Sequence, residues 1–278
     1  MRKERKLYAY KMTHDTGFAP NPYFGVCTLA CCKPRIRRGI ANHLKACCKN
    51  KIKAEVGAKS WSKADCMARC NEYLSSEHIS MINDVFDLSH NDKFDWKIED
   101  EEFWVAGFAG KYLSKKIAPN SLVYLMKVTD IMSFTTYWES FKEKRPHENF
   151  FLKQHKNPAL ENKSYLNCGD NIYDINDKNE VKRVLRSFHY VQDTFDKSTA
   201  DKDLSGECVL LSRKYRYFGE DALNMGNFEL KSDMNHNIYN ESDSPIPTKI
   251  KDIMDDIEAG TESVIGRPIQ CHSEFKGE

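Results

Sequence analysis

The segment His14-Asp15-Thr16-Gly17-Phe18-Ala19-Pro20-Asn21-Pro22 admits no regular secondary structure. Gly17, Pro20 and Pro22 exclude a helix, and Asn21-Pro22 is a turn signal. Before it, Lys6–Met12 alternates Leu7, Ala9 and Lys11 against Tyr8, Tyr10 and Met12, the two-residue period of a strand. After it, Phe24–Ala30 is a second apolar run that ends at Cys32-Lys33-Pro34. Two strands are therefore expected, joined by a stiff polar connection that the prolines fix and in which Gly17 permits positive φ. Such a loop can hold a ligand at low entropic cost. It is equally a structural turn in which His14 and Asp15 cap backbone groups.

The rest of the chain bounds the setting. Over 278 residues the formal net charge is +1, so no global field points to nucleic acid or membrane. The first residues, MRKERK, are charged and lead into no apolar signal region. No window is apolar enough for a membrane span. A cytoplasmic location is the expectation. The ten cysteines then read as free thiols or metal ligands, not as a disulfide framework.

From Arg35 to about Leu88 the pattern turns helical. Arg35–Lys59 carries eight basic residues against Glu55 alone. Ser62 is a helix N-cap candidate, with Ile79, Ile82, Val85 and Phe86 at helical spacing downstream. Asn91–Glu102 reads as an acidic loop. Phe103–Phe108 and Ser121–Thr129 are strands. Ile131, Phe134, Tyr137, Trp138 and Phe141 form one helical stripe. Glu207–Ser212 and Tyr215–Gly219 supply further β structure, Asp233–Pro247 reads as a linker, and Thr248–Ala259 as an acidic helix. Strands cluster without βαβ alternation, which favours an α+β fold with a mixed or antiparallel sheet, closing as a small barrel. No glycine-rich phosphate loop is present.

Other constellations carry chemistry. Lys33-Pro34-Arg35-Ile36-Arg37-Arg38 offers forks and charge for phosphate, or a solvated helix start. Gly169-Asp170-Asn171-Ile172-Tyr173 could read a base edge and stack on it, or form a plain Asx-turn. His189 and Asp203 could make an acid–base pair, or His189 could be a satisfied structural group. Cys66 and Cys70 share a helical face, and with Cys47 and Cys48 upstream they form a zinc candidate; buried thiols are the alternative.

Taken in order, Tyr8–Lys11, HDTGFAPNP, CTLACCKPRIRR, FWVAGFAGK, LVYLMKVT, FTTYW, GDNIY, a histidine motif, VLLS and YFG resemble the nucleotide modification associated domain 2 family. The resemblance runs from about Leu7 to Gly219. It implies a role in DNA modification and phage conflict without fixing a reaction. The middle blocks are also similar to the EVE and ASCH type of PUA-like barrel, which holds flipped or modified bases in an aromatic pocket. The resemblance implies a core over residues 1–34 and 103–225. It sets apart a basic, cysteine-bearing helical insertion over 35–102, and a linker with an acidic helix over 226–278. It puts polar positions on His14, Asp15, Asn21, Lys33, Arg37, Asp170, Asn171, Tyr173, His189 and Asp203. Where the family has adjacent histidines this chain has Phe188-His189.

The leading expectation is a nucleotide- or base-recognition domain. Phe18, Trp104 and Tyr173 would supply stacking surface. Asp15, Asn21, Asp170 and Asn171 would read donors and acceptors, and Lys33, Arg37 and Lys111 would meet the anionic ligand. The alternative is an enzyme on a nucleotide or base, with His14 or His189 as general base and Asp15 or Asp203 as its orienter. A third reading is a protein-interaction module that meets an acidic partner through the Arg35–Lys59 face. No cofactor is assigned.

Overall fold

The structure is a computed structural model that describes residues 4–43, 101–146, 168–176, 180–190, 195–230, 236–240, 243–260 and 263–270. The zinc candidates Cys47, Cys48, Cys66 and Cys70, the Ser62–Phe86 helix and most of the basic run lie outside these residues, as does nearly all of the acidic Asn91–Glu102 loop.

Strand β1 (Glu4–Met12) is followed by the polar segment, then β2 (Cys27–Leu29) and helix α1 (34–43). Next come β3 (Glu101–Ala109), β4 (Leu122–Lys127), β5 (Asp130–Met132) and α2 (Phe134–Ser140). A β6–β7 hairpin (Tyr173–Ile175, Val181–Val184) precedes α3 (Lys197–Leu204). The chain continues through β8 (Val209–Ser212), β9 (Lys214–Tyr217), β10 (His236–Tyr239), α4 (Thr248–Ala259) and β11 (Ser263–Val264).

Six strands form a mixed sheet in the order β10-β1-β3-β4-β9-β11. Its neighbouring inner strands β1 and β3 are parallel with Leu7 opposite Trp104, while β3–β4 and β4–β9 are antiparallel. A three-stranded antiparallel sheet, β2-β8-β5, packs beside it. Among the described residues no closed barrel is found, because the large sheet ends on two different edge strands. The α+β class with a mixed sheet is present.

The two-residue period divides the core. Leu7 and Ala9 of β1, with Trp104, Ala106 and Phe108 of β3, face α4 through Ile250, Ile253, Met254 and Ile257. Tyr8, Tyr10 and Met12 face the other way, onto Ile36 and Ile40 of α1 and onto Cys27, Leu29, Ile131 and Leu210 of the second sheet. The far side of that sheet, Val209 and Leu211, buries Phe134 and Tyr137 of α2, the β6–β7 hairpin and Ala200 of α3. Strands buried on both faces read as near-continuous apolar runs, as 103–109 and 122–126 do.

Described residues beyond 226 contribute to this core. β10 lies within the expected linker and pairs with β1, Leu7 opposite Tyr239. The α4 helix has the expected bounds, and its apolar stripe is buried. Arg5 bonds Asp255, and Lys127 and Lys214 both bond Glu258, so the acidic face of α4 is neutralised by the sheet it covers. Similarly, residues 35–43 of the expected insertion belong to the core through Ile36, Ile40 and Ala41.

Candidate functional site

A cleft of about 780 Å³ opens where the end of β1, the first turn of α1 and helix α3 meet. That size suits a nucleotide-scale molecule. His14, Lys33, Lys202 and His236 stand among its lining groups, with Cys32, His189 and Asp203.

Each of these last three is placed by local chain logic. Cys32 sits in the bend between β2 and α1, where Lys33 takes φ 54° and its carbonyl accepts the first helical bonds from Ile36 and Arg37. Pro34 suits the first helical position, where an N–H would be orphaned. His189 lies in a tight turn closed by reciprocal backbone bonds between Ser187 and Tyr190. Asp203 is in the last turn of α3, one turn after Ala200, and both are buried. The helix is started by Asp196, whose carboxylate accepts from Ser198 N and Thr199 N.

The three side chains are in line. Cys32 Sγ is 3.3 Å from His189 Nε2, and His189 Nδ1 is 2.6 Å from Asp203 Oδ2. Tyr173 donates its hydroxyl to the same Asp203 oxygen at 2.8 Å, and Tyr190 backs Tyr173 at 3.1 Å. Phe18 packs edge-on against the imidazole, ring centres 4.9 Å apart. Burial opposes charge on His189, but the hydrogen bonds to Asp203 and Cys32 outweigh it and push its pKa up to about 10. The imidazole is thus held in one orientation, protonated through the neutral range, with a thiol on one nitrogen and a carboxylate on the other. A thiol, a base and an orienter in hydrogen-bond reach are the parts of nucleophilic or general acid–base catalysis. Cys31, His189 and Asp203 also bring a sulfur, a nitrogen and an oxygen within 4.8 Å. A metal ion there would have to displace the His189–Asp203 bond.

Lys33 Nζ lies 4.4 Å from the centre of the Tyr10 ring. Burial lowers its pKa, Cys32 opposes that, and Lys202 adds to the lowering. His236 is likewise lowered, first by burial, then by Arg35 and Lys33. The cleft therefore gathers cations that repel one another, a setting suited to an anion.

The other expected site residues fall elsewhere. Arg37 is fully buried, with its guanidinium turned into the protein. Its guanidinium donates to the carbonyls of Cys32 (3.0 Å), Cys208 (2.7 Å), Cys31 (3.3 Å) and Asp203 (2.5 Å), tying the Cys32 bend to the end of α3. Gly206 makes room for it: a Cβ there would lie 2.3 Å from the guanidinium carbon. His14 is exposed at the rim of the cleft, whereas Asp15 turns inward, so the two form no pair. Asp15 accepts from Tyr217 at 2.7 and 2.8 Å and from Ile269 N at 3.1 Å, and thereby clamps the chain after β11. Burial raises its pKa to about 6 against these bonds.

Asn21, Asp170 and Asn171 form a buried polar layer beneath the site. Lys144 Nζ donates to Asn21 O and Oδ1 and to Val26 O, and burial lowers its pKa to about 8. Asp170 accepts from Thr28, Tyr137 and Ala30 N, and burial raises its pKa against the influence of Lys144 and Tyr137. Asn171 donates to the Tyr137 and Phe141 carbonyls, closing the end of α2. These three residues are buried and bonded within the protein. Trp104 is fully buried on the α4 side of the sheet and presents no stacking surface. Phe18 and Tyr173 are buried behind His189 and Asp203. Lys111 is exposed beside Tyr112, away from the cleft lining.

Cys32 joins the site without having been expected there as a nucleophile. Its signal was a cysteine immediately before a helix start, with a histidine and an acid far downstream.

No curated protein and no solved structure matches the chain. No helix among the described residues is long and apolar enough to cross a membrane. The family model described as nucleotide modification associated domain 2 matches residues 4–43 and 97–275. That match takes in every element of the cleft and continues through β10, α4 and β11, well beyond the Gly219 limit expected from the motifs. A match over this much of the sequence settles the affiliation, and the chain belongs to the nucleotide modification associated domain 2 family.

Proposed function

We propose that the chain is an enzyme that acts on a nucleotide or nucleic-acid base in DNA modification, with phage–host conflict as its setting. The observation that carries this reading is the His189–Asp203 contact of 2.6 Å at a cleft whose rim is basic. His189 is the acid–base group and Asp203 its orienter. Lys33 and Lys202 meet the phosphate. Family membership supports the link to nucleotide modification.

A recognition domain without turnover would use the same cleft and the same cations. Product formation separates the two. The protein is incubated with a panel of nucleotides, single-stranded DNA and duplex DNA, and the nucleosides are analysed by mass spectrometry. The enzyme reading requires a new mass with wild type that is lost in His189→Ala. Binding without any product across the panel would return the chain to recognition alone. Absence of both binding and product would remove the nucleotide reading.

A further inference from the structure

Acid–base work needs His189 and Asp203 only. The structure adds a third group, the half-exposed thiol of Cys32, 3.3 Å from the imidazole nitrogen that Asp203 leaves free. The nearby thiol Cys31 is fully buried and donates to the Asp170 carbonyl at 3.3 Å. Of the adjacent pair, Cys32 is therefore the one that lines the cleft. Its backbone is fixed as firmly as its partners: the Cys32 and Asp203 carbonyls accept from one guanidinium, that of Arg37. The next residue, Lys33, is held at φ 54°, a conformation costly for a residue with a side chain and found disproportionately at functional sites.

We propose that Cys32 is a catalytic nucleophile that forms a thioester with an ester or amide carbonyl carried by an anionic substrate. This rests on the nucleotide reading only for the identity of the anionic part. The proton shared by Cys32 Sγ and His189 sits on Nε2 as sulfur attacks the carbonyl carbon and a C–S bond forms. The tetrahedral centre collapses, the bond to the leaving oxygen or nitrogen breaks, and that atom takes the proton from Nε2. In the second half, water or an acceptor amine gives a proton to Nε2 as it attacks. The C–S bond then breaks, and sulfur is released beside the protonated Nε2, which restores the starting pair. No electrons are gained or lost overall. Asp203, supported by Tyr173, and Phe18 are positioning residues that keep the imidazole in register between sulfur and substrate.

The test uses the full chain and p-nitrophenyl acetate, a small ester that needs no knowledge of the natural substrate. A burst of about one nitrophenolate per protein is expected, with one acetyl group found by peptide mapping on Cys32 among the ten cysteines. Cys32→Ala should abolish the burst at unchanged melting temperature. His189→Gln should slow it by about 10²–10⁴-fold, and Asp203→Asn should shift its pH profile. Acetyl spread over other cysteines at the Cys32 rate, or a burst that survives Cys32→Ala, would overturn the proposal. Nucleoside monophosphate binding to Cys32→Ala, followed by calorimetry, keeps the two readings apart. Binding without Cys32 acylation sinks the nucleophile alone. Acylation that no nucleotide slows upholds the nucleophile and sinks the nucleotide.

Discussion

Replacing Arg37 by Met keeps the volume of the stem and removes the guanidinium. Four carbonyls, those of Cys31, Cys32, Asp203 and Cys208, then lose a donor inside the protein. A hydrogen bond to a charged group contributes roughly 1.5–3 kcal/mol, and four bonds to one group do not add in full. Breaking a buried charged network typically costs about 3–5 kcal/mol, and a loss of about 4 kcal/mol is expected here. That is a large part of the 5–15 kcal/mol available to a domain. Arg37→Lys should recover little, because a single ammonium cannot span carbonyls on the α1 bend, the end of α3 and the start of β8. Urea unfolding followed by circular dichroism measures the loss. A second readout is the Cys32 burst, which should weaken in any folded variant, since the guanidinium joins the Cys32 bend to Asp203. A cost below about 1 kcal/mol, accompanied by weaker binding of anions, would contradict a structural role and restore Arg37 as a phosphate ligand.

Two further perturbations probe the fold around the site. Asp15 has a folded pKa of about 6, raised above its ordinary value, so its stabilising contribution is full below about pH 4 and is lost as pH rises through 6. At 1.36 kcal/mol per unit, the stability of wild type relative to Asp15→Asn should fall by about 2–3 kcal/mol between pH 4 and pH 7.5. Paired urea titrations at the two pH values measure this, and a difference that grows with pH would be contrary to it. Ile253→Ala, on the buried stripe of α4, should cost about 2–4 kcal/mol by calorimetric unfolding; a neutral result would make the C-terminal helix dispensable to the core.

What was legible followed from period. The runs 6–12, 103–108 and 121–129 declared strands, and the stripe at Ile250, Ile253, Met254 and Ile257 declared a helix, because one spacing admits one element. Period two does not say which partner each face meets. Trp104 and Phe103 are equally buried on opposite sides of one strand, so only the docking of α4 decides that Trp104 is core. Arg37 misled by its chemistry, although its position spoke otherwise. It falls beside Ile36 and one turn before Ile40 and Ala41, on the stripe that α1 buries. Asp170 and Asn171 were polar residues in a turn, a description that fits a ligand pocket and an internal hydrogen-bond layer alike. The His189–Asp203 pair was legible as a candidate, but its meeting with Cys32 was out of reach because it spans more than 150 residues of sequence.

The central claim, that a nucleotide occupies the cleft above His189, is tested most directly by nuclear magnetic resonance of protein labelled in its histidine rings. Adding a nucleoside monophosphate should move the His189 and His14 signals in wild type, and Lys33→Ala with Lys202→Ala should suppress the movement. Unmoved His189 and His14 signals at saturating nucleotide, or shifts that persist unchanged in the double variant, would contradict it.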